Sequence, residues 1–225
     1  MLFDMLSGDF DFLELIIGLF SRLFVVFCTM PIHEYAHALI ATKLGDETPR
    51  LSGRLTINPF AHIDILGALM IFLCGFGYAK PVSVNPRNFK DPKKGMAITA
   101  IAGPASNLIM GFIFTFLSVF VQMVFYNLDM MLLYPIVSFL YFAAVINVNL
   151  AVFNMLPIPP LDGSRILQLL IPAKHYYKFL QYERYVVIIV FILILSGVLS
   201  TPLAIISNLI LNLFSNIAEI PFSLF

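Results

Sequence analysis

The apolar stretch LFVVFCTMPIHEYAHALIATKL (residues 23–44) carries the ionisable side chains of His33, Glu34 and His37 well inside a segment long enough to cross a membrane. A spanning helix needs about 20 predominantly apolar residues. Ionisable groups at membrane depth are costly and are functional candidates by default. The stretch therefore predicts a transmembrane helix with a reactive site inside it.

The composition of the whole chain is typical of a membrane protein. Of its 225 residues, 60% are hydrophobic and 12% are charged, and the mean hydropathy is +0.94. Soluble domains are about half apolar and a quarter charged, so this chain has too little polar surface to cover a water-soluble globule. Its formal net charge of zero gives no basic surplus for binding nucleic acid.

The hydrophobic segments predict an all-α polytopic membrane protein with about 4–6 transmembrane helices. An interfacial stretch before Arg22 should precede the first span, and Pro31 should kink that span. The tail at about 202–218 fits a last span and an interfacial helix equally well. We expect the other spans at about residues 23–44, 95–126, 133–156 and 185–200.

Two kinds of shorter element are expected between the spans. Residues 65–79 are apolar but short and interrupted by glycine, which predicts a re-entrant or tilted segment. The stretches around Leu55–Asn58 and Pro81–Val84 suggest short membrane-associated strands. An exposed strand edge there could hold an unwound substrate segment by β-augmentation.

Basic residues predict the orientation of the chain. They follow the first span, precede the second and lie between the third and fourth. Cytoplasmic loops carry an excess of Lys and Arg, so these sections are assigned to the cytoplasm. The residues concerned are Lys43, Arg50, Arg54, Lys80, Arg87, Lys90, Lys93, Lys94, Arg165, Lys174, Lys178 and Arg184.

The pentapeptide His33-Glu34-Tyr35-Ala36-His37 matches the pattern H-E-x-x-H. On a helix, residues four apart lie on one face, so both imidazoles can reach one Zn²⁺ ion. Glu34 is rotated away from His33 by about 100°, which lets it approach a metal-bound water without ligating the metal. The pattern therefore predicts two zinc ligands and a general base.

A catalytic zinc site usually has three protein ligands and a water. The best third ligand is Asp162, which follows directly on the third span in the run Asn154–Gly163. The prolines of that run bar a continuous helix, and irregular backbone at membrane depth is tolerated only inside protein or along a watery cavity. The alternative is that Asp162 only caps a helix beginning at Ser164.

Three motifs together resemble those of the site-2 protease family of intramembrane zinc metalloproteases, and most closely its small bacterial members without a PDZ domain. They are HEYAH for H-E-x-x-H, Gly103-Pro104-Ala105-Ser106-Asn107 for G-x-x-x-N, and Asn154–Gly163 for N-x-x-P-x-P-x-x-D-G. The stretches GRLTINPFAHIDILG and AKPVSVNPRNF are also similar to that subgroup. The resemblance covers roughly residues 25–170.

The resemblance implies a single integral-membrane peptidase domain over residues 1–225, with a three-helix catalytic core at about 23–170 and C-terminal hydrophobic helices at about 185–218. It implies one Zn²⁺ per chain, held in the cell membrane below the cytoplasmic surface. The substrates would be transmembrane proteins or peptides cut in or beside a membrane-spanning segment, as in regulated intramembrane proteolysis. Their identity and the oligomeric state are left open.

The residue roles follow position by position. His33, His37 and Asp162 would bind zinc, while Glu34 would act as general base and later as proton donor. Zinc lowers the pKa of bound water toward about 7 and polarises the scissile carbonyl. An amide from Asn154 would bind substrate or stabilise the oxyanion, or would simply cap a helix end.

Other polar residues are assigned supporting roles or left open. Gly103 allows close approach of a neighbouring backbone, and Asn107 one turn later could bond a helix or loop near the metal. His62 lies in a polar stretch that either folds back to the metal or is structural, and Asp64 could orient an imidazole from outside the ligand set. His175 is expected at the membrane interface.

Two other functions compete with proteolysis. A zinc transporter or other metal-handling membrane protein would also carry intramembrane His and Asp, but it needs a path through the membrane and more than one metal station. A scaffold that binds transmembrane partners without cutting them would function without zinc. Glu34→Gln distinguishes a protease from a transporter, because a protease would lose cleavage while it retains zinc, whereas a transporter should keep some flux. A chelator distinguishes a protease from a scaffold, because the scaffold would function without zinc.

Overall fold

The computed structural model of the chain describes residues 12–74, 79–125, 130–171, 185–186, 189–190, 192–193 and 196–222. Within those ranges the regular structure is helical and no strand occurs. The helices are α1 (Phe12–Phe24), a π-helix (Val25–Thr29), α2 (Met30–Lys43), α3 (Thr48–Leu51), α4 (Pro59–His62), α5 (Ile65–Cys74), a 3₁₀ turn (Pro86–Asn88), α6 (Pro92–Val124), α7 (Met130–Asn154), α8 (Asp162–Leu170) and α9 (Ser200–Glu219).

Four helical segments in the described part of the chain are long and apolar enough to cross a membrane: Phe12–Lys43, Pro92–Val124, Met131–Asn154 and Ser200–Glu219. The all-α, multi-pass prediction is therefore confirmed, and the tail predicted at about 202–218 has the length of a span. Residues 187, 188, 191, 194 and 195 of the span predicted at about 185–200, and His175, lie outside the described residues.

The first span departs from prediction because its helix continues without a break from Phe12 to Lys43. No helix break marks the expected boundary at Arg22, and the local adjustment is a π-helix at Val25–Thr29, in which the N–H of Met30 bonds the carbonyl of Val25. Pro31 lacks an N–H and its ring crowds the carbonyl four residues earlier. A wider π turn relieves that crowding just before the H-E-x-x-H segment.

The predicted strands are not formed. Leu55–Asn58 and Pro81–Val84 are irregular, and α5 within the stretch 65–79 has ten residues. Such a helix is about 15 Å long, half of the roughly 30 Å of a bilayer core, which agrees with a segment that does not cross. The segment Leu55–Asn58 alternates weakly but does not form a strand, because its polar groups make local turns. One example is the side chain of Asn58, which caps α4.

Helix α6 is the centre of the fold and packs against α2, α7, α8 and α9. Gly111 allows close approach to α7, since a Cβ there would lie 2.8 Å from Val148 Cγ2. A buried cluster of α6, α7 and α9 residues surrounds this contact: Phe114, Ala143, Ala144, Val148 and Leu211. Helices α2, α6 and α7 correspond to the predicted three-helix core.

Candidate metal centre and active-site cavity

Three side chains from two distant parts of the sequence converge between α2, α6 and the start of α8. His33 Nε2 lies 3.1 Å from His37 Nε2, and Asp162 Oδ2 lies 3.3 Å and 3.2 Å from these two nitrogens. His33 and His37 are buried, and the Asp162 side chain is 13% exposed. These are the three residues predicted as ligands, and together they can hold one metal ion.

The distances fit a tetrahedral zinc site. With zinc–ligand bonds of about 2.0–2.1 Å, two ligand atoms of a tetrahedron are about 3.3 Å apart, close to the three separations found here. His37 Nδ1 lies 2.7 Å from the carbonyl oxygen of Thr99. That carbonyl only accepts, so Nδ1 carries a proton and the lone pair of Nε2 faces the Asp162 carboxylate, an arrangement that a shared cation stabilises.

Helix α6 supports the metal centre through a stripe of residues four apart. Thr99 orients His37, and Gly103 lies directly against the imidazoles, because a Cβ at Gly103 would be 2.6 Å from His33 Nε2. Asn107, the next residue in the stripe, is fully buried and its Oδ1 has no hydrogen-bond partner among the described residues. The close approach predicted for Gly103 is therefore present, and Asn107 faces the cavity beside the metal centre.

Asp162 is delivered by an irregular turn and by the first residue of α8. Residues 155–161 form turns, as the prolines predict, and α8 begins at Asp162 with Leu161 as its N-cap. The carboxylate is thus directed to the histidines and does not cap a helix that begins at Ser164. Gly163 is required for packing, because a Cβ there would lie 2.5 Å from the carbonyl oxygen of Leu156.

A cavity of about 220 Å³ opens beside the three ligands. Glu34 is 6% exposed and lines it, as does Asn154 at the end of α7, whose amide makes no hydrogen bond within the described part of the chain. Pro81 and Val82 form another wall, and Arg165 of α8 a further one. Sequence reasoning had treated Arg165 only as a cytoplasmic charge; its spacing of three from Asp162 was the signal that both share a helix face.

His62 and Asp64 lie outside this cavity. His62 is fully buried, with Nε2 2.8 Å from the carbonyl oxygen of Thr56, and its own carbonyl accepts a 2.8 Å hydrogen bond from the N–H of Lys80. Asp64 Oδ1 accepts from the N–H of Gly67 at 2.9 Å and so caps α5. The structural alternative for His62 is the one that the structure supports.

Asp46 joins the end of α2 to the segment that walls the cavity. Its carboxylate accepts hydrogen bonds of 2.7 Å from the N–H of Asn85 and from Asn88 Nδ2, and 3.1 Å and 2.5 Å bonds from the N–H and Oγ1 of Thr48. Burial alone would raise the pKa of Asp46, but these bonds to the ionised form outweigh it, so the pKa lies below its ordinary value. Sequence reasoning missed this residue.

Comparison with known proteins places the chain in a family. The profile of Peptidase family M50 matches residues 21–197, which includes the metal centre and the cavity walls. The chain belongs to Peptidase family M50. The predicted site-2 protease resemblance is confirmed, and the chain is a membrane-embedded zinc metalloprotease.

Several curated relatives carry the same activity in their names. The chain is 42% identical over 163 residues to "Putative zinc metalloprotease YwhC" of Bacillus subtilis, covering 72% of this chain and 74% of the relative. It is 30% identical over 142 residues to "Putative zinc metalloprotease Rip2" of Mycolicibacterium smegmatis, covering 61% and 52%. It is also 30% identical over 141 residues to "Putative zinc metalloprotease MJ0611" of Methanocaldococcus jannaschii, covering 60% and 63%. No solved structure matches the chain.

Proposed function

We propose that this M50 peptidase is an intramembrane endopeptidase that hydrolyses peptide bonds in or next to transmembrane segments of other membrane proteins. The observation that carries the proposal is the position of the metal ligands His33 and His37 within a candidate membrane span. His33 lies ten residues before Lys43, the end of a candidate span, which is about 15 Å along a helix and about half of a bilayer core. A bond cut at this centre must be brought to membrane depth.

The proposed domain is the whole chain, 1–225, with its catalytic core at about 23–170. Lys80 directly precedes the cavity-lining Pro81, and Lys43 ends α2. Since positive charge marks the cytoplasmic side, the cavity would open toward the cytoplasm. A zinc transporter would need further metal stations, and within the described ranges the only group of three clustered ligands is the one at His33, His37 and Asp162.

In the proposed reaction, His33, His37 and Asp162 hold the metal, and Thr99 keeps the His37 ring in the tautomer that ligates. Bound zinc supplies a Lewis acid that activates water at neutral pH and polarises a carbonyl. Glu34, at the cavity wall, accepts the proton of the attacking water and then transfers it to the leaving amine. The free amide of Asn154 donates to the oxygen on which negative charge develops.

The substrate would bind in an extended form along Val82–Val84. None of the N–H groups of Val82, Ser83 and Val84 donates a hydrogen bond to another described residue, and Val82 lines the cavity. An unwound substrate can therefore pair with this backbone edge. Val82→Pro removes one N–H and should impair cleavage while zinc content is unchanged, whereas Val82→Ala keeps the N–H and serves as the control. Full activity in Val82→Pro would exclude this edge.

Profiling of protein N-termini in membranes tests the function. Cells that express the wild type or Glu34→Gln are compared, and wild-type cells should contain new N-termini in or beside transmembrane segments that the variant lacks. Zinc content of both purified proteins is the control, because Glu34 is not a predicted ligand and both should retain the metal. Identical N-terminal profiles, with both proteins expressed and zinc-loaded, would refute intramembrane cleavage.

A further inference from the structure

Arg165 places a positive charge in the wall of the catalytic cavity. It lies in the first turn of α8, three residues after Asp162, and it is half-buried. The same cavity is lined by Glu34 and by all three metal ligands. A group bound for hydrolysis therefore lies within reach of the guanidinium.

No contact in the described part of the chain explains this charge. Within the described ranges, Arg165 forms no ion pair or hydrogen bond, although Arg50 and Lys94 at the surface each pair with an acid. A cation in the first turn of a helix also opposes the helix dipole, which favours anions at that end. Half-buried, placed against the dipole and without a partner among the described residues, the guanidinium gains no stabilisation from the helix, so its role is expected in the cavity.

The cavity wall offers Arg165 no counterion within the described ranges. Glu34 and Asp162 line the same cavity, yet neither lies within ion-pair distance of Arg165, and the Asp162 carboxylate faces His33 and His37. A guanidinium presented to the cavity in this way is suited to a planar carboxylate that can accept two parallel hydrogen bonds.

We propose that Arg165 is a specificity-determining residue that binds a carboxylate of the substrate peptide beside the scissile bond. The inference rests on the proposed peptidase function and states which substrates the peptidase would prefer. The carboxylate belongs either to an acidic side chain that flanks the apolar segment or to the free C-terminus of a short membrane remnant. Both sources offer the same chemistry to the guanidinium, and peptide design separates them.

The test uses the full zinc-loaded chain in neutral phosphatidylcholine nanodiscs and synthetic transmembrane peptides with one Leu/Ala-rich apolar segment. Three peptides have amidated C-termini and carry Glu, Gln or Lys at one flanking position, and a fourth is the Gln peptide with a free C-terminal carboxylate. Cleavage is followed by mass spectrometry. Binding is measured separately by fluorescence on Glu34→Gln, with and without a second change at Arg165, so that affinity is read without turnover.

Arg165 should favour the acidic peptide over the Lys peptide by about tenfold in affinity, a value in the range of single charge pairs. Arg165→Glu should reverse the order of affinities for the Glu and Lys peptides, and Arg165→Lys should keep it. A purely structural role of Arg165 would not make the preference follow the sign of the charge. Arg50→Glu, a matched charge reversal on exposed α3, should leave the order unchanged. A preference for the fourth peptide over its amidated form would assign the carboxylate to a free C-terminus.

The inference is overturned if Arg165→Glu retains the wild-type order of peptides, or if its effect appears only in nanodiscs with anionic lipid, which would assign Arg165 to a lipid phosphate. Failure of the proposed function has a different signature. In that case zinc-loaded wild type would cleave none of the peptides, while the charge-dependent binding to Glu34→Gln would still be measured.

Discussion

Replacing Gly103 by alanine tests how tightly α6 supports the metal centre. A Cβ at this position would lie 2.6 Å from His33 Nε2 and Cε1, and it would also overlap His37 Nε2. Non-bonded heavy atoms are comfortable at about 3.5 Å or more. Relief of the two 2.6 Å contacts requires a relative movement of about 0.9 Å, and the tighter overlap with His37 requires more, whereas zinc–ligand distances tolerate only about 0.2 Å.

The expected loss of zinc affinity follows from that overlap. Forcing an extra methyl group into a packed site costs about 1–3 kcal/mol, which corresponds to about 5- to 150-fold in a dissociation constant. The gain in helix propensity on replacing glycine, about 1 kcal/mol, affects folding and not the ligand geometry. Gly103→Ala should therefore fold but bind zinc weakly.

The assay is a competition titration against a chromophoric zinc chelator in detergent, with thermal unfolding measured in parallel. Gly111→Ala is the matched control, because it makes the same change in α6 with a similar overlap, 2.8 Å from Val148 Cγ2, at a side chain that is not a ligand. Zinc affinity of Gly103→Ala equal to that of Gly111→Ala would refute the reasoning.

Three further predictions concern single side chains. Asp162→Ala should reduce bound zinc well below one equivalent, because two imidazoles rarely hold catalytic zinc alone, and full retention measured by atomic absorption would contradict its role. Asn154→Ala should lower the cleavage rate by about 10²–10³-fold at unchanged zinc content, and an unaltered rate would exclude it as a donor. Asp46 has a lowered pKa in the folded protein. Its ionised carboxylate therefore stabilises the fold fully at pH values above the pKa of Asp in the unfolded chain, about 3.9. This stabilisation is lost as the pH falls through the pKa that Asp46 has in the folded protein. Asp46→Asn should thus lower the unfolding temperature near neutral pH, at a cost of about 1–3 kcal/mol in the free energy of unfolding. If the difference in unfolding temperature between wild type and variant does not shrink at acidic pH, this explanation is contradicted.

The sequence was sufficient to predict that His33, His37 and Asp162 would lie together, because metal chemistry restricts the spacing of ligands. His33 and His37 must share a helix face, and Asp162 stood out as an acid in a proline-broken segment where a helix cannot continue. The structure brings these three residues together across more than 120 positions of sequence. The all-helical, multi-pass fold followed from segment length and hydropathy alone.

The features that prediction missed depend on tertiary contacts. The backbone of Pro81–Val84 is irregular and has no neighbouring strand within the described ranges. The alternation of apolar and polar residues therefore could not predict its conformation. The role of Asp46 arises from Asn85 and Asn88, which lie 39 and 42 residues away. The π-helix before Pro31 has a different origin, since it is a local response to crowding by the proline ring that hydropathy does not encode.

The central claim, that this M50 peptidase is a zinc enzyme in which Glu34 acts as base, is tested most directly by measuring zinc content and transmembrane-peptide cleavage in the same purified preparations of wild type and Glu34→Gln. We predict about one zinc per chain in both proteins, with cleavage by the wild type that a chelator abolishes and none by the variant. Cleavage retained by Glu34→Gln, or a wild type that cleaves without zinc, would contradict the account.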